Sequence, residues 1–210
     1  MTLQREVLAL KKKISRQVDS RLKDFESFKY KNTEEWFSEL CFCILTANSK
    51  ARTAIDIQNG LGFKGFSEMS EKELSDYIRK KKHRFHNNKA KFIVLAREYV
   101  DIKGIVLGAM HDGGLLEGRE WLVENIKGMG YKEASHFLRN VGYKDVAILD
   151  RHIINLMIEN KVIKEKPKNL NKKNYFILEE KFKELSDSVK MSMAELDLYM
   201  WYMKGGDVLK

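Results

Sequence analysis

Proline is almost missing from this chain. Pro167 is the only one among 210 residues. Proline breaks a helix interior because it lacks an N–H and its ring clashes with the preceding turn. A chain nearly free of it can run as long helices. Cysteine is as scarce. Cys41 and Cys43 are the only two, set close together in the apolar run LCFCILTA. They are too few for a disulfide framework or a four-ligand metal site, so no metal is expected. Buried free thiols in a reducing compartment are expected instead. No apolar run is long enough to span a bilayer, and no stretch reads as a signal peptide. No segment alternates apolar and polar as a half-buried strand does. Internal repeats and low-complexity tracts are missing too. What remains is an all-α, soluble, cytoplasmic protein with no membrane partner.

Basic side chains outnumber acidic ones, 39 to 30, for a formal charge of +9. Such an excess suits a polyanionic partner such as nucleic acid, or a Lys/Glu-rich surface of the kind used at high temperature. The apolar residues recur at helical spacing. Val7, Leu10, Ile14, Val18 and Leu22 form one stripe, and Trp36, Phe37, Leu40, Cys41 and Ile44 another. Ser70 with Glu73 reads as a capping box ahead of Leu74, Tyr77 and Ile78. Ala90, Ile93, Val94 and Tyr99 continue the pattern, as do Ile153, Ile154, Met157 and Ile158. Leu178, Phe182 and Leu185 mark a further helix, and Ser192 with Glu195 opens the last, through Trp201. Glycines at 60–65, 104–118, 128–130 and 205–206 read as breaks, and Lys164 to Asn174 as an exposed basic loop.

One stretch carries more than periodicity. Trp121 to Ile126 reads as a short helix, followed by Lys127-Gly128-Met129-Gly130. Ala134, Phe137, Leu138 and Val141 then follow at helical spacing, closed by Gly142. This is a helix, a glycine hairpin and a second helix. Such a hairpin turns backbone N–H groups outward at a helix N-terminus, where they can bind a phosphate without reading sequence. Lys132 falls in the first turn of the second helix. The positive end of the helix dipole and partial burial both disfavour its charge, which favours the nucleophilic amine. By position alone a solvated lysine, or one that binds phosphate, is the commoner reading; Asp150 changes the balance. Asp150 ends the apolar run Val146 to Leu149 and precedes the helix of Ile153 and Met157. It can cap that helix. A carboxylate there can also stabilise positive charge growing on a sugar ring.

With Lys132 and Asp150 in place, the motifs KGMGYKEASHFLRNVG, AILDRHI and WYMKGGDVLK resemble the helix-hairpin-helix superfamily of base-excision DNA glycosylases. The closer resemblance is to its small archaeal-type 8-oxoguanine DNA glycosylase/AP lyase branch. With ILTANSKA and FHNNKAKFI the likeness touches most of the chain. It implies two helical lobes with DNA across the cleft between them. One lobe would cover 24–142 and end in the hairpin. Residues 1–23 with 143–210 would form the other and carry Asp150. Lys132 would attack C1′ of a flipped nucleotide, with Asp150 as its partner. An amine nucleophile leaves an imine, so strand cleavage by β-elimination would follow base release.

The resemblance assigns further residues. Asn48 would fill the hole left by the flipped base, although it could equally cap the next helix. Arg84, on the basic stretch from Arg79, would hold phosphate, as would Lys127 with Gly128 and Gly130. Phe85 would wedge or stack, unless it is a core residue. Trp201 would stack on the flipped ring, unless it too is core. The carboxylate of Lys210 would accept the hydrogen that 8-oxoguanine carries at N7, where guanine presents an acceptor; a frayed tail is the alternative. The implied partner is double-stranded DNA containing 8-oxoguanine, met by a monomer. No cofactor is required. The hairpin can hold a monovalent cation, and an iron–sulfur cluster is disfavoured because no cysteine lies beyond Cys43. Two other readings stay open: a glycosylase of this superfamily for another damaged base, and a hairpin module that only grips DNA. The second has no need of both Lys132 and Asp150.

Overall fold

A computed structural model describes residues 2–210, and the side chains of all of these except Asp112. Among the described residues ten α-helices form and no strand does. They are α1 (Leu3–Ser27), α2 (Thr33–Thr46), α3 (Ala51–Glu68), α4 (Glu71–Lys80) and α5 (His86–Ala96). The second half adds α6 (Ile102–Asn125), α7 (Tyr131–Asn140), α8 (Arg151–Glu159), α9 (Lys172–Ser188) and α10 (Met193–Gly205). None of these helices is long and apolar enough to cross a membrane.

Local chemistry sets most of the boundaries. Asn32 with Glu35 and Ser70 with Glu73 form complete capping boxes at the starts of α2 and α4. Ser192 caps α10 through Glu195 N–H at 3.1 Å. Three helices end unusually. After α4, α8 and α9 the chain turns through Lys82, Lys161 and Lys190, all with positive φ. In each case the next N–H bonds back across the last turn: His83 to Ile78, Val162 to Met157, Met191 to Ser186. This is the Schellman closure, with lysine where glycine is usual. The glycine-rich stretches at 60–65 and 104–118 do break the helical path, as the sequence suggests, but at one residue each; the other glycines there lie within the helical parts of α3 and α6. Tertiary packing outweighs the roughly 1 kcal/mol that each helical glycine costs. Only Gly62 (φ 56) and Gly114 (φ 76) interrupt them.

The chain divides into two compact units, and the division falls inside α7. One comprises Tyr30–Phe137. Its centre is α2, against which α3, α5 and α6 pack. Trp36, Phe37, Leu40 and both cysteines of α2 are fully buried, and Phe137 meets Trp36 edge-on at 5.8 Å. The other comprises Met1–Lys29 and Leu138–Lys210. There α1 packs along α10, and α8 and α9 also pack on α10. Arg139 and Asp197, both almost fully buried, pair at 3.1 Å. Removing one partner of such a pair strands a charge and typically costs 3–5 kcal/mol, roughly.

Candidate active site

The hairpin lies in the Tyr30–Phe137 unit. It starts where α6 ends, with Ile126 N–H donating to Leu122 O and Met129 N–H to Ile126 O. Ile126 and Met129 are buried, whereas Lys127, Gly128 and Gly130 face solvent. The structure asks different things of the two glycines. Gly128 has φ +85, and a Cβ there would stand 2.3 Å from the Phe92 ring. Only glycine fits both the backbone and the neighbour. At Gly130 a Cβ would meet nothing closer than Glu133 Oε2 at 3.4 Å.

Gly130 is the cap residue of α7, since its carbonyl accepts from Ala134 N–H at 2.9 Å. Lys132 is therefore the second residue of that helix. The hairpin N–H groups do not all turn outward, as the sequence suggests. Gly130 N–H donates to Glu133 Oε2 at 3.2 Å, half of a capping box. The other oxygen of Glu133 lies 3.5 Å from Lys132 Nζ, and both side chains are largely shielded. Tyr131 ties α7 back to α6 by donating to Glu120 at 2.8 Å. Buried Arg119 adds a bond to Ser135 at 3.2 Å. Another cation stands behind the hairpin. Lys89 of α5 is only 5% exposed and donates to Ile44 O at 2.6 Å. Burial pulls it down to about 8; the Glu133 carboxylate opposes that, and the Lys132 ammonium adds to it. Neither Glu133 nor Lys89 emerges from the sequence reading. Lys89 had a visible signal: it lies four residues before Ile93, on the apolar stripe of α5.

In the same unit the structure brings Asn48, Arg84 and Phe85 together. Asn48 follows α2, is exposed and has φ 59. It does not cap α3, whose cap position is Lys50. Arg84 reaches its carbonyl at 3.5 Å and lies 4.6 Å over the Phe85 ring. Phe85 is 37% exposed, so it is not a core residue. It sits at the cap position of α5.

Asp150 belongs to the other unit. It caps α8, accepting Ile153 N–H at 2.8 Å. The segment before it, Val146 to Leu149, is buried but belongs to no helix or strand. Its backbone groups would be left unpaired, which is costly. Side chains of α9 satisfy them. Glu179 accepts Ala147 N–H at 2.9 Å, and Tyr175 donates to Ala147 O at 2.7 Å and accepts Leu149 N–H at 3.4 Å. These two residues, unforeseen in the sequence, fix the approach to Asp150. Two residues on, His152 meets Trp201 edge-on at 5.5 Å. Trp201 is therefore beside the start of α8 and is half-buried rather than core. Beyond it Gly206 turns through φ 72, and Asp207 to Lys210 are half-buried. Among the described residues no group of three or more His, Cys, Asp or Glu side chains is placed to hold a metal ion. Cys41 and Cys43 form no disulfide and are fully buried.

A family model described as 8-oxoguanine DNA glycosylase matches residues 18–191. The 8-oxoguanine DNA glycosylase/AP lyase of Methanocaldococcus jannaschii is 49% identical over 193 residues, 92% of this chain and 91% of that protein. Its namesake from Thermoplasma volcanium is 45% identical, with 92% and 91% covered. Among solved structures, the Methanocaldococcus jannaschii glycosylase/lyase in complex with 15mer DNA containing 8-oxoguanine is 46% identical. It superposes with a TM-score of 0.95 over 100% of both chains. The 8-oxoguanine DNA glycosylase of Thermotoga maritima gives a TM-score of 0.92 at 37% identity, over 99% of this chain and 98% of that one. A chain with this hairpin, a lysine at the second position of α7 and this likeness along its length belongs to the 8-oxoguanine DNA glycosylase family.

Proposed function

We propose that the protein excises 8-oxoguanine from double-stranded DNA and then cleaves the strand as an AP lyase. The observation that carries this is the likeness, along the whole chain, to a relative solved on DNA containing 8-oxoguanine. The target base is inaccessible inside a duplex, so the nucleotide is first flipped out. Lys132, as the neutral amine, attacks C1′. The bond from C1′ to the base breaks, and the base leaves with the electron pair and takes up a proton. Asp150 stabilises the positive charge that builds on the sugar and accepts the proton given up by the amine. Ring opening gives an imine between Lys132 and C1′. The imine acidifies C2′, and loss of that proton expels the 3′ phosphate.

Several features support these roles. Lys132 makes no backbone bond in closing its helix, while the Asp150 carboxylate is already held by Ile153 N–H. The chain itself does not require a bare backbone at Gly130, which fits a close approach by a phosphate beside Lys127. Asn48, Arg84 and Phe85 form a polar, cationic and aromatic cluster suited to holding a distorted duplex. Trp201 and the tail to Lys210 are the base-recognition candidates. The reaction uses side chains alone, so a monomer in the cytoplasm, in contact with the nucleoid, needs no iron–sulfur cluster or other cofactor. Any monovalent cation in the hairpin supports the backbone and takes no part in the chemistry.

Borohydride added during turnover is the direct test. It should trap the protein covalently on a duplex containing 8-oxoguanine, with or without chelator. Base release without trapping would eliminate the imine route.

A further inference from the structure

His83 takes no part in the chemistry above, yet it is only 2% exposed and both of its ring nitrogens are engaged. Nε2 lies 2.9 Å from Leu45 O, and Nδ1 lies 3.2 Å from Phe85 N. A carbonyl can only accept and a backbone N–H can only donate. The ring is therefore neutral, with its hydrogen on Nε2. The acceptor is informative. The last carbonyls of a helix have no partner within it. At the end of α2, Leu45 O takes its bond from His83, and Ile44 O takes one from Lys89 at 2.6 Å. Both donors come from the segment that joins and opens α5. Just outside this doubly bonded junction lie Asn48 on one side and Arg84 with Phe85 on the other, themselves joined by the Arg84 contact to Asn48 O.

We propose that His83 is a positioning residue for lesion engagement: its neutral ring clamps the Arg84–Phe85 turn to the end of α2, so that Asn48, Arg84 and Phe85 meet DNA as one piece. The inference rests on the reading that these three side chains grip the damaged duplex. A residue that only closes the loop after α4 would serve every step alike. A clamp for the cluster serves base extrusion above all. A pre-formed abasic site has no base to unstack, so its cleavage needs the cluster least.

Acid should undo the clamp. Protonation places a hydrogen on Nδ1, which can then no longer accept Phe85 N–H. Burial holds His83 below its ordinary value; the Leu45 carbonyl opposes this, while Lys89, His86 and Arg84 disfavour a further positive charge. The neutral clamp is complete above about pH 6.5. As pH falls further the unfolded chain gains its proton first, and the clamp is lost at the lower folded value.

The test is a ratio of two single-turnover rates in the full-length protein: base release from an 8-oxoguanine duplex, and cleavage at a pre-formed abasic site. Both use Lys132, so the ratio compares two steps that share one nucleophile. In His83→Ala, base release should fall about tenfold and abasic cleavage about twofold, the loss expected when a buried donor and acceptor are left unpaired. His83→Asn, which can still accept Phe85 N–H, should fall between His83→Ala and the wild type, and it replaces His83→Ala if that variant does not fold. The wild-type ratio should stay level above about pH 6.5 and drop as the pH is taken progressively below it, and the His83→Asn ratio should stay level throughout. Equal loss of both rates, or a wild-type ratio that does not change with pH, overturns the clamp. A wild type that releases no 8-oxoguanine overturns the parent reading instead.

Discussion

The helices α7 and α8 both begin at a proposed catalytic residue, and both must satisfy N–H groups that have no partner at a helix start. They do so in opposite ways. At α8 the functional side chain is itself the cap, since Asp150 accepts Ile153 N–H. At α7 the cap residue is Gly130, and a neighbour, Glu133, accepts its N–H. Lys132 closes nothing and makes an ion contact to Glu133. The two chemical tasks explain the difference. Electrostatic stabilisation works best from a group fixed before the charge appears. A nucleophile must move to form a bond to carbon, so a backbone tie would hinder it.

This contrast can be broken most sharply at the lysine. Lys132→Gln should abolish borohydride trapping and lower nicking by at least about a thousandfold. Its melting temperature should stay put, because the side chain caps nothing. A variant that still nicks would move the nucleophile elsewhere. At Asp150 function and fold should separate by substitution. Asparagine caps as well as aspartate, so Asp150→Asn should keep its stability but lose about a hundredfold in base release. Asp150→Ala should lose that activity and about 1 kcal/mol of stability besides, measured by denaturant unfolding. Equal stability in the two variants would show that the cap is idle. The smallest effects on activity concern the hairpin. Gly128→Ala, strained in backbone and against Phe92, should cost about 2 kcal/mol. Gly130→Ala should unfold like the wild type but bind DNA a few-fold, roughly, less tightly in an anisotropy titration. Unaltered binding would remove Gly130 from the phosphate contact.

Much of this was visible in the chain. The helical stripes, the Ser70–Glu73 box, the Gly142 helix end, the buried cysteines and the Asp150 cap all follow from local rules, and the structure contains each. The failures have a common cause: they needed partners distant in sequence. Gly104, Gly108 and Gly118 look like breakers until the packing of α6 overrides them. Glu133 looks like one more surface acid until the hairpin presents Gly130 N–H to it. Tyr175 and Glu179 look like ordinary members of α9, yet they satisfy the backbone of a segment some thirty positions earlier. His83 is read as part of a basic run, and only the folded junction shows that it is neutral and enclosed.

The lysines at the ends of α4, α8 and α9 alter what the formal charge of +9 means. Each stands where a helix presents the negative end of its dipole, and the two fields partly cancel within a turn. Near the helix end their charge is thus partly masked, and each also eases the orphaned carbonyls there. At the distance of an approaching polyanion a dipole has no net charge, so each of these lysines still counts as a full unit. Swapping one for glycine would keep the helix closure but weaken the long-range pull on DNA by that unit.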